Sequence, residues 1–378
     1  MEKGKKSFIA ATFTLVGTIV GAGILGLPYV FAQAGFWVGV FWLIFLGSIL
    51  LYVTLCMGEV TLRTRTFHQL PGYAEKYLGK KGEILMLIIC VFGFYSGMLA
   101  YLIGEGKSLS YLFTGGFEYA VYFTIGFWLL MTLVLREGRD GLRKIETLGV
   151  FFVLIIVFGI FIYFCPQITT DNLNFVDSNF FLPFGVVLFA FLGFTAVPEM
   201  RMLLKGKEKL FKRSILIGKT LPFVLYFLFT LTCVGVFGRD ILEVATLSLG
   251  RIATLLGIFT MTTCYSVFSF ALRDVFKYDL HREKFTWVFV SAIPITSYLL
   301  VNFFGFASFV LVLSIGGAIT GGLKGIVILL MARASKSKGK RKPEYSVPIN
   351  WLIIVILSLI FILGIVVEVL SIFGIALS

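Results

Sequence analysis

Long apolar segments recur along almost the whole chain and constrain its fold more than any other feature. The 378 residues are 58% hydrophobic, and the mean hydropathy is +0.98. About 20 consecutive apolar residues suffice for a helix to cross the hydrocarbon core of a bilayer. We therefore predict an all-α, polytopic membrane protein with about eleven transmembrane helices. The predicted spans lie at approximately 8–33, 36–58, 83–105, 118–135, 146–164, 180–203, 213–237, 248–272, 285–303, 306–331 and 349–373.

The basic residues follow the topology of these spans. With the N-terminus inside, the cytoplasmic loops and the adjoining helix ends contain all of the 33 Lys and Arg residues except Lys107, Arg239 and Arg251. This asymmetry is the one that the positive-inside rule describes. It explains the net charge of +13 without a nucleic-acid partner. We expect a multi-pass protein of the cell membrane with a cytoplasmic N-terminus, an extracytoplasmic C-terminus and a first span that is retained.

The reactive side chains show no pattern of an enzyme or a metal site. The five cysteines lie in or at the ends of apolar runs without C-x-x-C spacing, and both histidines lie in predicted loops. We expect no disulfide framework, metal site or cofactor, and no enzymatic activity, because no nucleophile or phosphate-loop motif is present. These residues are Cys56, Cys90, Cys165, Cys233, Cys264, His68 and His281.

Two of the apolar runs contain breaks. The first reads GTIVGAGILGLP over residues 17–28, and the sixth reads VVLFAFLGFTAVPEM, with Gly193 ahead of Pro198. A continuous helix satisfies its own backbone in lipid, so a break is tolerated only where the freed backbone is buried in protein or lines a cavity. Glycine also permits close helix packing, and either break alone is compatible with that role. Two breaks five spans apart, in helices of opposite direction, are typical of an inverted-repeat transporter.

The position of the breaks also predicts the organisation of the chain. We interpret residues 1–378 as a single transmembrane domain with inverted repeats at about 8–164 and 180–331. An additional helix at about 349–373 follows the second repeat.

The freed backbone groups suit a zwitterionic solute. N–H groups around Gly23–Leu25 lie at the positive end of a half-helix and suit a carboxylate. Carbonyl groups near Phe189–Phe191 can accept from an ammonium group, so backbone alone can neutralise the solute and no buried ionic side chain is required. Side chains on spans 3, 6 and 8 would provide selectivity, although each aromatic one also fits the core or the lipid face. The predicted substrate-binding residues are Gly21, Ala22, Gly23, Ile24, Tyr95, Met98, Tyr101, Phe189, Ala190, Phe191, Gly193, Phe194 and Tyr265.

Several segments resemble the amino acid/polyamine/organocation superfamily. They are GTIVGAGILGLPYVFAQAGF in span 1, MGEVTLRT in span 2, GMLAYLIGEGKSL in span 3, FLGFTAVPEMRMLLKG in span 6 and FTMTTCYSVFSFALRDVFKYDL in span 8. Within the superfamily they are most similar to the amino acid/auxin permeases and the aromatic amino acid permeases. The resemblance implies a LeuT-type 5+5 inverted repeat, with discontinuous helices 1 and 6, that transports amino acids.

The resemblance also implies residues for gating or coupling. Glu59 and Glu199 match acids of the family pattern, and Arg63 or Arg201 is the expected ion-pair partner in a gate at the inner mouth. The alternative is that one of these acids carries a proton, because burial favours the neutral form of a carboxyl group.

A sodium site is the competing interpretation. In sodium-coupled relatives, hydroxyl groups of helix 8 and carbonyls of helix 1 hold the ion, which corresponds here to Thr263 and Cys264 with Gly17 and Val20. Sodium is a hard cation that requires oxygen ligands, and Cys264 replaces one of them, for which Thr260 or Thr262 could compensate. Asp274 matches the acid at the end of helix 8.

Two further acids lie near the outer ends of spans, Glu105 in span 3 and Glu368 in span 11. Carboxylates inside a bilayer are costly, and they mark function when they occur. Since long side chains near a helix end can reach water, we expect both to be interfacial carboxylates.

Together these features predict a secondary active transporter of neutral or aromatic amino acids that works by alternating access and is coupled to protons. The expected partners are the amino acid, the proton and the lipid bilayer. A sodium-coupled symporter or an exchanger is the alternative. A non-transporting membrane sensor and a passive facilitator are the further ones.

Overall fold

The computed structural model describes residues 2–136, 142–175, 179–276 and 286–372, with backbone only for 2–3, 142–150 and 372. His281 and the predicted span ends at 285 and 373 lie outside this part of the chain. The described residues form α-helices and no strands. The helices are α1 (Glu2–Ile19), α2 (Gly23–Ala34), α3 (Phe36–Arg63), α4 (Leu70–Leu78), α5 (Lys80–Thr114), α6 (Ala120–Arg136), α7 (Leu142–Phe164), α8 (Pro183–Ala190), α9 (Ala196–Leu203), α10 (Phe211–Phe237), α11 (Ala245–Ser248), α12 (Arg251–Asp274), α13 (Thr286–Phe303), α14 (Phe309–Gly316), α15 (Gly322–Lys338) and α16 (Trp351–Ile372).

These helices account for the predicted spans. The helices α3, α5, α10, α12, α13 and α16, together with α14–α15, are each long and apolar enough to cross a membrane. The pair α1–α2 forms one span that bends by 50° at its break. At the remaining three predicted spans lie the shorter helices α6 and α7 and the two short helices α8 and α9. The predicted fold class, a polytopic all-α protein with discontinuous helices 1 and 6, is confirmed; the repeat boundaries remain a prediction.

The two broken spans lie at the centre of the helix bundle. Helix α1 packs against α9 and α10, and α2 packs against α8 and α10. Helix α8 also contacts α3 and α14, so spans 1, 2 and 10 surround the first half of span 6. Span 10 itself contains a π-helical turn at Gly317–Gly321 that joins α14 to α15 and packs against α8. Central helices are shielded from lipid, which allows their backbone to be irregular.

Span 11 supports the first half of span 6 through Glu368. Its Oε1 accepts hydrogen bonds from the hydroxyl of Ser314 at 2.6 Å and from the backbone N–H of Gly185 at 3.2 Å. Gly185 belongs to the first turn of α8, where N–H groups have no partner within the helix. Glu368 is only 7% exposed, so the prediction of an interfacial carboxylate is wrong for this residue. The side chain points into the bundle because it caps α8.

Replacing Glu368 with Ala is expected to destabilise the protein. The substitution leaves the Ser314 hydroxyl and the Gly185 N–H without an acceptor, at a cost of about 1–3 kcal/mol for each buried group. Thermal unfolding of the purified protein in detergent measures the loss. The control is Leu363→Ala on the same helix, where the side chain is half exposed. An equal melting temperature for the two variants would show that the cap contributes nothing.

Candidate functional site

The breaks of spans 1 and 6 are in direct contact. A Cβ placed on Gly23 would lie 2.4 Å from the Cα of Ala190, and one placed on Gly193 would lie 2.6 Å from Cγ1 of Ile19. These distances are shorter than any real Cβ contact, so only glycine permits the approach. The two glycines therefore bring the four half-helix ends to one point.

Donors are exposed on the span 1 side of this point. The N–H groups of Ile24 and Leu25 bond to the carbonyls of Gly21 and Ala22, at 3.3 and 3.0 Å. The prediction that free N–H groups extend to Leu25 is therefore wrong, because the first turn of α2 tightens. The N–H groups of Gly21 and Ala22 have no hydrogen-bond partner within the described ranges. They lie at the positive end of α2.

Acceptors on the opposite side are paired with side chains of span 7. The hydroxyl of Tyr226 lies 2.7 Å from the carbonyl oxygen of Ile19 and 2.8 Å from that of Ala190. The ammonium group of Lys219 donates to the carbonyl of Phe191 at 2.7 Å. These carbonyls end α1 and α8, where no partner is available within the helix. One helix, α10, therefore provides donors to the carbonyl ends of both breaks, and the single hydroxyl hydrogen of Tyr226 is shared between Ile19 and Ala190.

Lys219 is a buried ionic side chain at the breaks that the sequence analysis did not identify. It is 3% exposed, and the rings of Phe191 and Phe194 lie 5.9 and 5.7 Å from its Nζ. In the count of basic residues for each loop, Lys219 was assigned to the helix end that follows the loop between spans 6 and 7. The signal that could have found it is its place inside the apolar run 213–237, where a charge is unusual.

A cavity of about 50 Å³ adjoins the breaks. A water needs about 10–15 Å³ of such space, so the cavity accommodates a few waters. Span 10 contributes Thr320 from its π-helical turn and Lys324, a second buried cation missed for the same reason as Lys219. The lining is Thr18, Ile19, Gly21, Ala22, Gly23, Gly93, Phe94, Tyr101, Phe189, Leu192, Gly193, Phe194, Thr195, Phe268, Thr320 and Lys324.

Seven of the predicted substrate-binding residues line this cavity, and six lie outside its wall. Ile24, Ala190 and Met98 are buried in helix contacts. Phe191 packs edge-on against Tyr226. The seven residues in the wall are Gly21, Ala22, Gly23, Tyr101, Phe189, Gly193 and Phe194.

The two remaining aromatic residues contact other spans. The Tyr95 hydroxyl donates to the carbonyl of Phe289 in span 9 at 3.1 Å. Tyr265 packs edge-on against Phe127 of span 4, and it is 2% exposed. Both side chains join neighbouring helices in this structure rather than facing the breaks.

Span 8 brings a thiol to the break of span 1. A Cβ on Gly21 would lie 2.7 Å from Sγ of Cys264 and 3.8 Å from the hydroxyl oxygen of Tyr101. The Thr263 hydroxyl bonds within its own helix, to carbonyls at 2.9 and 3.0 Å. Asp274 is the last residue of the same helix, which is 24 residues long. It lies away from the breaks.

Glu59 forms a dense polar network on the side of the membrane where α1 begins. Its carboxylate accepts from Arg63 Nε at 2.7 Å, from Lys336 Nζ at 2.6 Å and from the backbone N–H of Val347 at 2.7 Å. Ser346 adds a fourth donor at 3.1 Å. We call Glu59, Arg63, Lys336, Ser346 and Val347 the Glu59 network. It fixes the segment before α16 to the end of span 2 and includes one of the two expected arginines.

The other expected arginine holds the second half of span 6. Arg201 in α9 is 5% exposed, and its guanidinium donates to the carbonyl of Thr61 in span 2 and lies 4.9 Å from the ring centre of Phe67. Glu199, two residues earlier, is half-buried in the first turn of α9. Arg201 thus ties α9 to span 2 independently of the Glu59 network.

Glu105 lies within the bundle rather than at an interface, which contradicts its prediction. Its side chain is completely buried. Oε1 accepts from the hydroxyl of Thr262 in span 8 at 2.7 Å, and Oε2 has no hydrogen-bond partner among the described residues. Span 3 continues for nine residues beyond Glu105, so the side chain cannot reach the helix end.

The fold and the two facing breaks define a LeuT-type, multi-pass helical membrane protein. A mutant of the Eremococcus coleocola manganese transporter has the same fold, with a TM-score of 0.67 at 11% identity over 98% of this chain and 88% of that one. Residues 4–273 match the model of the tryptophan/tyrosine permease family, and the chain belongs to this family. The family is one of permeases and not of enzymes, as the sequence predicts.

Two curated relatives illustrate the similarity. Tyrosine-specific transport system 1 of Haemophilus influenzae is 27% identical over 239 residues, which are 61% of this chain and 58% of the relative. Amino acid transporter AVT3A of Arabidopsis thaliana is 24% identical over 322 residues, which are 77% of this chain and 74% of the relative. The chain spans less than two thirds of the length of the tyrosine transport systems that it matches.

Replacing Gly23 with Ala is expected to lower the stability of the protein by about 1–3 kcal/mol, the usual cost of overpacking. The added methyl group meets the backbone of Ala190, which cannot move without shifting α8. The measurement is thermal unfolding in detergent. Gly159→Ala is the matched control, because a Cβ there meets nothing within 4 Å. Unchanged melting of the Gly23 variant would contradict the close contact between the breaks.

Proposed function

We propose that this protein is a secondary active amino acid transporter that works by alternating access around the two breaks. The observation that carries the proposal is that backbone N–H donors and carbonyl acceptors lie together where the two breaks meet. The unpaired N–H groups of Gly21 and Ala22 suit a carboxylate, and the carbonyls of Ile19, Ala190 and Phe191 suit an ammonium group. An α-amino acid carries both groups on one carbon atom.

The substrate class that we propose is neutral amino acids with a large apolar or aromatic side chain. Five aromatic residues, Phe94, Tyr101, Phe189, Phe194 and Phe268, lie in the cavity wall beside the glycines of the breaks. Rings of this kind favour offset or edge-on contacts with another ring. Two relatives are named tyrosine-specific transport systems, and the matched family is described as tryptophan/tyrosine permeases. Both descriptions support this choice.

Alternating access requires that one side of the site opens while the other is closed. The cavity is smaller than an aromatic amino acid, so the helices around it move to admit one. On the side of the N-terminus, which we propose to be cytoplasmic, the Glu59 network closes the bundle. On the opposite side Glu243 accepts from Lys107 at 2.9 Å, from Ser308 at 2.6 Å and from the N–H of Phe309 at 3.1 Å. The two networks are the candidate gates.

We propose protons as the coupling ions and Glu105 as the residue that binds them. Intramembrane carboxyl groups commonly form proton relays. Glu105 has one free oxygen and no cationic partner among the described side chains, whereas Glu59 is held by four donors. The sodium alternative is disfavoured because Cys264 offers sulfur in place of one of the oxygen ligands that a hard cation requires.

Uptake into proteoliposomes tests the proposed function. We expect saturable uptake of labelled tyrosine, tryptophan or leucine, driven by an inward pH gradient and unaffected by replacing sodium with potassium. One proton per substrate gives up to about tenfold accumulation per pH unit, since a factor of ten corresponds to about 1.4 kcal/mol. Uptake that does not saturate would indicate a facilitator, and binding without flux would indicate a sensor. Stimulation by sodium alone would favour the sodium symporter.

Replacing Glu105 with Gln is expected to abolish stimulation by the pH gradient and to preserve downhill uptake. The amide keeps the acceptor for Thr262 but cannot release a proton. Initial rates with and without the gradient measure the effect. Glu118→Gln, at an exposed position beyond span 3, is the control and should behave as the unsubstituted protein. Gradient-driven accumulation by the Glu105 variant would exclude this residue as the proton site.

A further inference from the structure

The carbonyl ends of both breaks have donors from the chain itself. Lys219 bonds to Phe191, and Tyr226 lies between the carbonyls of Ile19 and Ala190. These oxygens are the ones to which the ammonium group of an amino acid would bind under the proposed function. The side chains of α10 and the substrate therefore compete for the same acceptors.

The chemistry of Lys219 matches that of the group it competes with. A primary ammonium group has three N–H donors and one positive charge, as the α-ammonium group of an amino acid does. Its partner, the carbonyl of Phe191, lies just past the end of α8, where the helix dipole is negative. The rings of Phe191 and Phe194 flank it at 5.9 and 5.7 Å. No ion pair between Lys219 and a described carboxylate occurs, so the break itself is its partner.

The need for such a group follows from the transport cycle. A carrier that performs net uptake must return across its barrier without substrate, with the site again closed to water. A carbonyl that is buried without a donor carries a large desolvation penalty. During exchange the carrier crosses loaded in both directions, and the substrate can satisfy the acceptors each time.

We propose that Lys219 is an internal substitute for the substrate ammonium group, which satisfies the break of span 6 while the carrier returns without substrate. Tyr226 has the same role at the carbonyls of Ile19 and Ala190. Substrate displaces Lys219 from Phe191 on binding, and Lys219 comes back when the substrate leaves. This inference rests on the proposed transport of amino acids. It assigns to Lys219 a positioning role in one step of the cycle.

The experiment compares two transport modes of one purified variant in proteoliposomes. Lys219→Met removes the donor and retains the apolar stem. We expect net downhill uptake of labelled tyrosine to fall at least about tenfold relative to exchange against internal unlabelled tyrosine, the factor expected from one unsatisfied buried group. A merely structural role for Lys219 would lower both modes together.

Two further variants serve as controls. Lys212→Met, at an exposed position of the same helix, should leave the ratio of net uptake to exchange unchanged. Lys219→Gln keeps an N–H donor without the charge and should retain more net uptake than Lys219→Met. The Gln variant also serves if the Met variant does not fold.

The outcomes separate this inference from the proposal on which it rests. Saturable uptake by the unsubstituted protein, with an unchanged or equally reduced ratio in the Lys219 variants, overturns the role of Lys219 alone. No saturable uptake of any amino acid in either mode by the folded, unsubstituted protein overturns the proposed function and this inference together. A selective loss of net uptake in Lys219→Met, partly restored in Lys219→Gln, supports it.

Discussion

The hydroxyl of Tyr226, set between the carbonyl oxygens of Ile19 and Ala190, is the contact on which the rest of the structure depends. Backbone groups within a bilayer must find partners inside the protein, because neither water nor lipid can satisfy them. A single break would need its own set of donors. Two breaks that meet at one point can share the same donors. Gly23 and Gly193 permit the close approach that this sharing requires.

Each half of span 6 is attached to a different part of the protein. Glu368 of span 11 caps the beginning of α8, whereas Arg201 ties α9 to the carbonyl of Thr61 in span 2. The five residues between the halves, 191–195, carry no helical constraint across the break. Conformational change in such a fold is expected to occur at a few residues that join rigid elements. The break of span 6 therefore has the properties of a hinge.

The sequence predicted the features that local chemistry determines. Apolar length marked the spans, and Gly21, Gly23 and Gly193 marked both breaks, because neither property depends on distant neighbours. The sequence did not predict the role of side chains whose environment depends on helix packing. The sequence does not distinguish a Lys or Glu whose side chain reaches water, as we expected for Glu105, from one whose side chain lies in the core. Tyr226 carried no signal, since one phenol among many aromatic side chains identifies no partner before the helices are assembled.

The two sides of the breaks differ in a way that affects recognition. The N–H groups of Gly21 and Ala22 have no partner in the described part of the chain, whereas the carbonyls of Ile19, Ala190 and Phe191 are paired with span 7. A carboxylate can therefore bind without displacing a protein group, but an ammonium group must replace Lys219 or Tyr226. Exchange of one hydrogen bond for another contributes little net free energy, while charge-assisted bonds to unpaired donors are among the stronger ones. Under the proposed function, the carboxylate is accordingly the part of the solute that provides affinity, and the amino group is the part that releases the internal cation.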